Sequence, residues 1–252
     1  MVAVKFEEYI NDVNENFSGW DFSFITGTGR MKSNLLSWSY GSMARQLIKH
    51  ANSMLDMGTG GGEFLSKLQP FPETVYATEG YKPNIPIAKK HLEPIGVKVV
   101  SVEEDSNLPF NDNQFNVILN QHESYGPEEV RRIINSNGVF LTQQVGGLDC
   151  LGINEALGSS VNNEFKDWNL TTAMSDLVNN HFEILYCKEE FPTQRFFDIG
   201  ALMYYLKAVL WQVPDFSVEQ YYENLYTIHK HIQSEGFFDV NQHRFVIKAL
   251  AK

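Results

Sequence analysis

The sequence contains little cysteine and no long apolar run. Cys150 and Cys187 are its only cysteines among 252 residues, and their spacing fits no metal site. Two isolated thiols are typical of buried small side chains, which argues against a disulfide framework. No apolar run approaches the roughly 20 residues that span a bilayer, and residues 1–8 have neither a secretory nor a transit pattern. We therefore expect a cytoplasmic protein without a membrane span.

Positive charge is also scarce. The chain has 20 Lys and Arg against 31 Asp and Glu, which gives a formal net charge of -11. Nucleic-acid binding normally needs a basic footprint that neutralises phosphates, so the composition disfavours that partner without excluding a local basic patch. No His or carboxylate cluster has the spacing of metal ligands, so no metal is predicted.

Short apolar runs alternate with helical stretches from Ser53 to about Phe191, as in a doubly wound α/β sheet. Asn137-Gly138 is expected to end the third core helix as a left-handed cap. The predicted strands are Ser53–Met57, Val75–Thr78, Val97–Val102, Phe115–Asn120, Gly138–Val145, His181–Glu190 and a terminal strand from Arg244. The predicted core helices are Gly62–Leu68, Asn84–His91, Pro127–Ile134 and Leu170–Asn179.

We expect a single domain with a helical insertion. Aromatic residues recur at helical spacing over Phe196–Trp211 and Ser217–Glu235, outside the alternating pattern. These helices could form a lid over the ligand-binding ends of the strands, a dimer interface or a core of their own, and the oligomeric state is not predicted. The expected parts are an N-terminal cap segment (1–52), the core (53–191), the insertion (192–238) and the last strand (239–252).

A glycine-rich turn is the clearest local signal. Residues 55–63 read Leu-Asp-Met-Gly-Thr-Gly-Gly-Gly-Glu, so a strand runs through glycines into a helix. Glycine permits positive φ and close approach of a ligand, and the helix start offers free N–H groups. Glu79 ends the next predicted strand roughly 20 residues on, where a carboxylate can accept both hydroxyls of an adenosine ribose. At this point NAD and FAD remain possible ligands.

Residues 104–118 favour a different cofactor. They read Glu-Asp-Ser-Asn-Leu-Pro-Phe-Asn-Asp-Asn-Gln-Phe-Asn-Val-Ile, and this resembles the segment between the third and fourth strands of class I S-adenosylmethionine-dependent methyltransferases with a type 11-like domain. The glycine turn and the passage Arg132–Thr142 also resemble that family. The resemblance covers about Leu55–Val145 and implies a Rossmann-like seven-stranded sheet whose last strand is antiparallel.

The resemblance also implies a cofactor, S-adenosyl-L-methionine, and a set of residues that hold it. Asp56 would hold the amino end, Glu79 the ribose, and Glu104 the adenine with the backbone of Asp105 alongside. Asn116 departs from the family, which usually has Asp there, although this change removes no ligand contact. The full implied set is Asp56, Gly58, Thr59, Gly60, Gly62, Glu79, Gly80, Glu104, Asp105, Asn120 and Gln121.

Methyl transfer depends mainly on alignment, and a general base is needed only if the acceptor is protonated. His122 follows the fourth strand and is the candidate to take such a proton. Each of these side chains could instead be structural. The candidate acceptor contacts are Tyr40, Glu123 and Gln144, and Gln143 could also offer an amide to the acceptor. Arg30 and Trp38, together with Tyr40, could close the cofactor pocket.

Three functions stay open. The leading hypothesis is methyl transfer to a small-molecule acceptor, because the chain is acidic and carries an aromatic insertion. An alternative is an RNA base methyltransferase, since the connection His122–Pro127 is similar to that of ribosomal-RNA guanine methyltransferases, although the four-cysteine zinc element of those enzymes is missing. The third is a non-enzymatic protein that binds S-adenosylmethionine.

Overall fold

A computed structural model of the chain describes residues 5–17, 21–161 and 164–252. The described residues of 146–167, a range predicted from the sequence to lie in the core, belong by their contacts to the smaller of two compact units. No helix in the described ranges is long and apolar enough to cross a membrane. The larger unit contains Ser37–Val145, Trp168–Glu189 and Arg244–Lys252, and the smaller contains the described residues of Met1–Leu36, Gly146–Asp167 and Glu190–His243.

Strands and helices alternate through the middle of the chain. Short 3₁₀ turns occur at Ile10–Asn14 and Glu93–Ile95. The strands are β1 Met31–Ser33, β2 Ser53–Met57, β3 Thr74–Glu79, β4 Lys98–Ser101, β5 Phe115–Gln121, β6 Ile134–Val145, β7 Phe182–Glu190, β8 Thr193–Phe196, β9 Phe238–Asn241 and β10 Arg244–Ala251. The helices are α1 Phe6–Tyr9, α2 Ser23–Thr26, α3 Tyr40–Ile48, α4 Glu63–Ser66, α5 Ile85–Leu92, α6 Pro127–Ile133, α7 Leu151–Leu157, α8 Leu170–Asn179, α9 Ile199–Ala208 and α10 Tyr222–Glu235.

The larger unit is built on a seven-stranded sheet with the order β4-β3-β2-β5-β6-β10-β7. Strand β2 pairs in parallel with β3 and β5, β3 with β4, and β5 with β6. Strand β10 runs antiparallel to β6. The strand order reverses between β2 and β5, and ligands of such sheets bind at the carboxyl ends beside this reversal. The Rossmann-like α/β fold with an antiparallel last strand is confirmed.

Apolar side chains cover both faces of this sheet. Met54 of β2 packs in one cluster with Leu92 of α5. The next residue, Leu55, packs in the other cluster with Val130 of α6 and Leu177 of α8. Successive side chains of a strand point to opposite faces, so a strand that is buried on both sides must be apolar throughout. This explains why the core strands stand out in the sequence as continuous apolar runs.

The smaller unit contains a three-stranded sheet in the order β1-β8-β9, which the sequence analysis did not predict. These strands have three or four residues each and partners far away in the chain, so they leave no periodic pattern. The insertion also contains the helices α9 and α10. Tyr204 and Tyr205 of α9 are buried in the apolar core of this unit, so these two aromatic residues do not line an open pocket.

The junction of α6 and β6 differs from the prediction. Helix α6 ends at Ile133, and β6 begins at Ile134, so Asn137-Gly138 does not cap the helix. Asn137 has a left-handed φ of 63° inside the strand. The register of β6 against β5 shifts between Phe115 and Val117, which makes this passage an irregularity in the sheet. An Asn-Gly pair is compatible with both arrangements, and pairing with β5 selects the strand.

Two glycines of the larger unit share a backbone conformation but have different surroundings. Gly62 precedes α4 with a φ of 86°, and Gly96 precedes β4 with a φ of 89°. A Cβ on Gly62 would lie 2.6 Å from Cγ of Leu92, a fully buried side chain, whereas a Cβ on Gly96 would meet no atom within 4 Å. Gly62 therefore allows α4 to pack closely on α5.

We expect Gly62→Ala to lower the free energy of unfolding by about 3 kcal/mol and Gly96→Ala by about 1 kcal/mol. Both variants force alanine into the left-handed region, at about 1–2 kcal/mol, and only Gly62→Ala also overpacks the core, at about 1–3 kcal/mol. Urea denaturation of the two variants measures the difference. Equal losses would show that Leu92 moves aside without a penalty.

Candidate functional site

The glycine turn after β2 exposes backbone to an open space. Gly58 and Gly60 have left-handed φ values of 64° and 62°, which glycine adopts without a Cβ penalty. A Cβ on Gly60 would meet no atom within 4 Å, whereas a Cβ on Gly58 would overlap the side chain of Glu123 at 2.4 Å. The Thr59 amide donates to the Thr78 carbonyl at 2.9 Å, which ties the turn to β3. The turn thus leaves room for a ligand over Gly60.

Two buried carboxyl groups lie at the ends of β2 and β3. Asp56 is 5% exposed and Glu79 is 4% exposed. Burial, with a contribution from the charge of Glu79, raises the pKa of Asp56 to about 7. Burial also raises the pKa of Glu79, although its Oε1 accepts a hydrogen bond from the Tyr81 amide at 2.7 Å. A ligand with a positive charge or hydroxyl donors would stabilise the charged forms of these groups.

Two further carboxyl groups face this pair. Burial, followed by the charges of Asp105 and Glu79, raises the pKa of Glu123 to about 7. Burial also raises the pKa of Asp105, whose carboxylate accepts a hydrogen bond from the Ser124 hydroxyl. The described residues contain no group of three or more side chains arranged to hold a metal ion. We refer to Asp56, Glu79, Asp105 and Glu123 as the acidic cluster.

Glu104 does not belong to the acidic cluster. Its residue surface is exposed, whereas the next residue, Asp105, is half-buried. The sequence predicts a contact of the Glu104 side chain and the Asp105 backbone with the ligand, whereas in the structure the more buried of the two side chains is Asp105. The hydrogen bond from Ser124 turns the Asp105 carboxylate inward. Gly80 follows Glu79, and a Cβ there would lie 3.4 Å from the Val102 carbonyl oxygen.

Asn120 joins the ends of β5 and β6 in a buried polar network. Its Oδ1 accepts hydrogen bonds from the Thr142 hydroxyl at 2.9 Å and from Gln144 Nε2 at 2.6 Å. Gln144 Nε2 also lies 2.9 Å from the Glu123 carbonyl oxygen. The side-chain nitrogen Nδ2 of Asn120 donates to the Ser124 carbonyl at 3.3 Å. The Gln144 amide nitrogen therefore donates to acceptors of the protein itself, and the contact of Gln144 with an acceptor molecule stays a prediction.

Tyr40 is a support for the sheet. Its side chain is buried, and burial raises the pKa of its hydroxyl well above the usual range, with the charge of Asp56 adding to the effect. The hydroxyl accepts a hydrogen bond from the Asn120 backbone amide at 3.0 Å and donates to the Leu141 carbonyl at 3.3 Å. The hydroxyl thus bridges β5 and β6 through one accepted and one donated hydrogen bond, and the contact of Tyr40 with an acceptor molecule stays a prediction.

His122 is held by Gln143. Its backbone has a left-handed φ of 60°, and its amide donates to the Gln143 carbonyl at 2.7 Å. Its ring Nε2 lies 3.0 Å from the side-chain nitrogen of Gln143, whose oxygen accepts from Trp38 Nε1 at 2.7 Å. Desolvation of the ring, and then the charge of Arg244, lowers the pKa of His122 to about 3, although the residue as a whole is exposed.

The remaining sequence candidates divide between the two units. Gln121, half-buried, ends β5 opposite Gln143 in the register. Arg30 lies in the smaller unit, where its guanidinium pairs with Asp12 at 2.5 Å and Asp198 at 2.6 Å. Sequence reasoning missed Ser124, which has no motif of its own. Its position directly after His122 and Glu123 is the one sequence signal that could have identified it as a candidate site residue.

The middle of the chain matches a known family by sequence. Residues 55–142 match the profile of a family described as methyltransferase domain. This range begins within β2, contains the glycine turn and all four residues of the acidic cluster, and reaches Thr142 of β6. A search among curated proteins gave no match to the chain.

Solved structures share the fold. A Bacillus halodurans protein assigned as a methyltransferase is 16% identical, with a TM-score of 0.61 over 83% of this chain and 96% of that one. The [4+2]-cyclase SpnF is 13% identical, with a TM-score of 0.54 over 84% and 79%. Geranyl diphosphate C-methyltransferase from Streptomyces coelicolor, solved with Mg²⁺, geranyl diphosphate and S-adenosyl-L-homocysteine, is 11% identical, with a TM-score of 0.52 over 84% and 78%.

At these identities the structural likeness shows the fold alone, and the sequence profile adds a match to the methyltransferase-domain family over residues 55–142. The profile, the seven-stranded sheet and the glycine turn fall in the same part of the larger unit. Residues 55–142 are therefore similar in sequence to a methyltransferase domain, and the sheet that contains them has the fold of the solved methyltransferases.

Proposed function

We propose that the acidic cluster and the glycine turn bind S-adenosylmethionine and that its methyl group passes to a small-molecule acceptor. The observation that carries this proposal is the position of the buried Asp56 and Glu79 and the half-buried Glu123 around a turn with free space over Gly60. Buried carboxyl groups with raised pKa values lack a counter-charge. A cofactor with a cationic sulfonium, a cationic amino group and ribose hydroxyls supplies what these groups lack.

Three of the four carboxyl groups of the acidic cluster have separate parts in this proposal. Asp56 pairs with the amino end, Glu79 accepts the ribose hydroxyls, and Asp105, rather than Glu104, faces the adenine. The backbone of Gly58, Thr59 and Gly60 lines the amino-acid and ribose portions, with Gly80 beside the ribose. Gly62 serves the packing of α4 on α5 and makes no ligand contact.

The chemistry depends on alignment. When bound, S-adenosylmethionine supplies an electrophilic methyl group, and the protein has to hold the acceptor in line with it. Hydrogen bonds with Thr142, Gln144 and the Ser124 carbonyl hold the Asn120 side chain in one orientation at the end of β5. Gln121 continues this edge toward the methionine part. Fixed side chains of this kind align reacting groups without being reorganised during the reaction.

The choice of acceptor rests on charge. The chain has a net charge of -11, and the acidic cluster adds negative charge beside the reaction centre, so a polyanionic acceptor such as RNA is repelled. The neighbour from Streptomyces coelicolor acts on geranyl diphosphate, which is small although anionic, so it supports the size of the acceptor and not the charge argument. The neighbour SpnF is a cyclase, so this fold also hosts other chemistry, and product formation has to be measured directly.

The variants Asp56→Asn and Glu79→Gln should each weaken S-adenosylmethionine binding about 10- to 100-fold. A hydrogen bond to a charged group contributes about 1.5–3 kcal/mol, which corresponds to this range. Isothermal titration calorimetry measures the affinities. Glu73→Gln is the matched control, because Glu73 is an exposed carboxyl just before β3. If both site variants stay folded and bind as tightly as the wild type, the cofactor lies elsewhere.

Binding of S-adenosylmethionine near neutral pH should release protons. Asp56 and Glu123 have pKa values of about 7 in the ligand-free protein, so each is partly protonated there. A nearby cation favours the charged carboxylate and lowers both pKa values, so affinity should rise between about pH 6 and about pH 8. Calorimetry in buffers of different ionisation enthalpy counts the protons.

S-adenosylhomocysteine is the control for this effect, since its sulfur carries no charge. It should release fewer protons than S-adenosylmethionine. Equal proton release by the two ligands would show that the acidic cluster does not respond to the sulfonium.

RNA should not bind the protein even at low salt, where phosphate contacts are strongest. A fluorescence anisotropy titration with a structured RNA tests this, with S-adenosylmethionine present to complete the site. A screen of small-molecule acceptors for S-adenosylhomocysteine formation is its counterpart. RNA binding at low salt would revive the RNA alternative, and cofactor binding without product from any acceptor would favour a non-enzymatic role.

A further inference from the structure

Three side chains of the larger unit form a directed chain of hydrogen bonds. The indole nitrogen of Trp38 is only a donor, and it lies 2.7 Å from Oε1 of Gln143. This contact fixes the orientation of the Gln143 amide, so its NH₂ group faces Nε2 of His122 at 3.0 Å. An amide NH₂ group is only a donor as well. Nε2 of His122 must therefore accept, and a neutral imidazole then carries its proton on Nδ1.

The backbone strengthens this arrangement. The His122 amide donates to the Gln143 carbonyl at 2.7 Å, so one residue of β6 holds both the backbone and the ring. His122 also has a φ of 60°, a conformation that is uncommon outside glycine and that persists where surrounding contacts determine it. Gln143 is buried and cannot turn away to solvent.

We propose that Trp38 and Gln143 are positioning residues that fix His122 as a neutral imidazole with Nε2 blocked, so that it presents a hydrogen-bond donor at Nδ1 and does not act as a base. This deepens the proposed function and rests on it for the location of the reaction centre. His122 is then a donor that orients an acceptor molecule, while proton removal, where an acceptor requires it, falls to another group.

The electrostatics agree with this assignment. Arg244, at the start of β10, is the charged group that acts on the ring from a neighbouring element, and it disfavours a second positive charge. Glu123 is the next residue along the chain and belongs to the acidic cluster. A protonated His122 would place a cation next to a site that we propose for a cationic cofactor. The hydrogen bonds from Trp38 through Gln143 keep the His122 ring neutral, so no second cation lies beside the proposed site.

Nitrogen NMR of the full-length protein tests the proposal without any ligand. In ¹⁵N-labelled protein, we expect Nε2 of His122 to show the shift of an unprotonated nitrogen and Nδ1 that of a protonated one, unchanged from about pH 8 down to about pH 5. The signals are assigned by their loss in His122→Asn. A ring that titrates near the usual histidine pKa, or that is protonated on Nε2, would overturn the proposal.

Two variants show whether the hydrogen bonds from Trp38 and Gln143 determine the protonation of His122. Gln143→Glu replaces the donor with a carboxylate that accepts from the ring, so the pKa of His122 should rise by about 1–3 units. Trp38→Phe removes the indole N–H and frees the amide to turn, so the two ring nitrogens should move toward averaged shifts. Unchanged ring signals in both folded variants would show that Trp38 and Gln143 do not fix the tautomer of His122.

The outcome is separable from the proposed function. Calorimetry with S-adenosylmethionine reports on the acidic cluster, and the NMR titration reports on the histidine alone. If the wild type binds the cofactor but His122 is protonated on Nε2, only the proposal about Trp38 and Gln143 fails. If His122 is protonated on Nδ1 but no cofactor binds, the hydrogen-bond chain stands as a structural feature and the proposed cofactor site is rejected.

Discussion

The burial of like charges at one edge of the sheet is the constraint on which the site depends. Parallel neighbours end at the same edge, so β2, β3 and β5 bring Asp56, Glu79 and Glu123 together. Removing carboxylates from water without a counter-charge is costly, and the raised pKa values express this. The ligand-free protein therefore holds a site whose electrostatics improve when a cation enters. Affinity for a cationic ligand and selectivity against an anionic one follow from the same arrangement.

A second layer of polar contacts makes this site rigid. Asn120, Thr142 and Gln144 satisfy one another at the ends of β5 and β6, and Tyr40 bridges the same two strands below them. Buried polar groups are stabilising when they are all paired, since each unpaired group carries a desolvation penalty. The acidic cluster thus lies beside polar side chains that are held in place by hydrogen bonds, and fixed positions suit a reaction that depends on alignment.

The sequence predicted the sheet well because buried parallel strands are apolar throughout, as Met54 and Leu55 illustrate by packing on opposite faces. It also predicted that Asp56 and Glu79 end neighbouring strands, because both positions are set by strand ends. The orientation of Asp105 over Glu104 could not be predicted, since it depends on a contact with Ser124 from a different loop. The sheet of the smaller unit was missed because its strands are short and their pairing is long-range. Tyr40 and Gln144 could be recognised by residue type, but only the tertiary contacts reveal the hydrogen bonds that both make within the protein.

The position of β10 has a consequence for how the sheet is assembled. It lies between β6 and β7, yet β7 precedes it in the chain by the whole of residues 191–243. During synthesis on the ribosome, β7 and β6 therefore emerge with unpaired edges and wait for a strand that is made much later. Unpaired edges are templates for pairing with other chains. Chaperone demand and aggregation during expression should thus be greatest in the interval between the release of β7 and the arrival of β10.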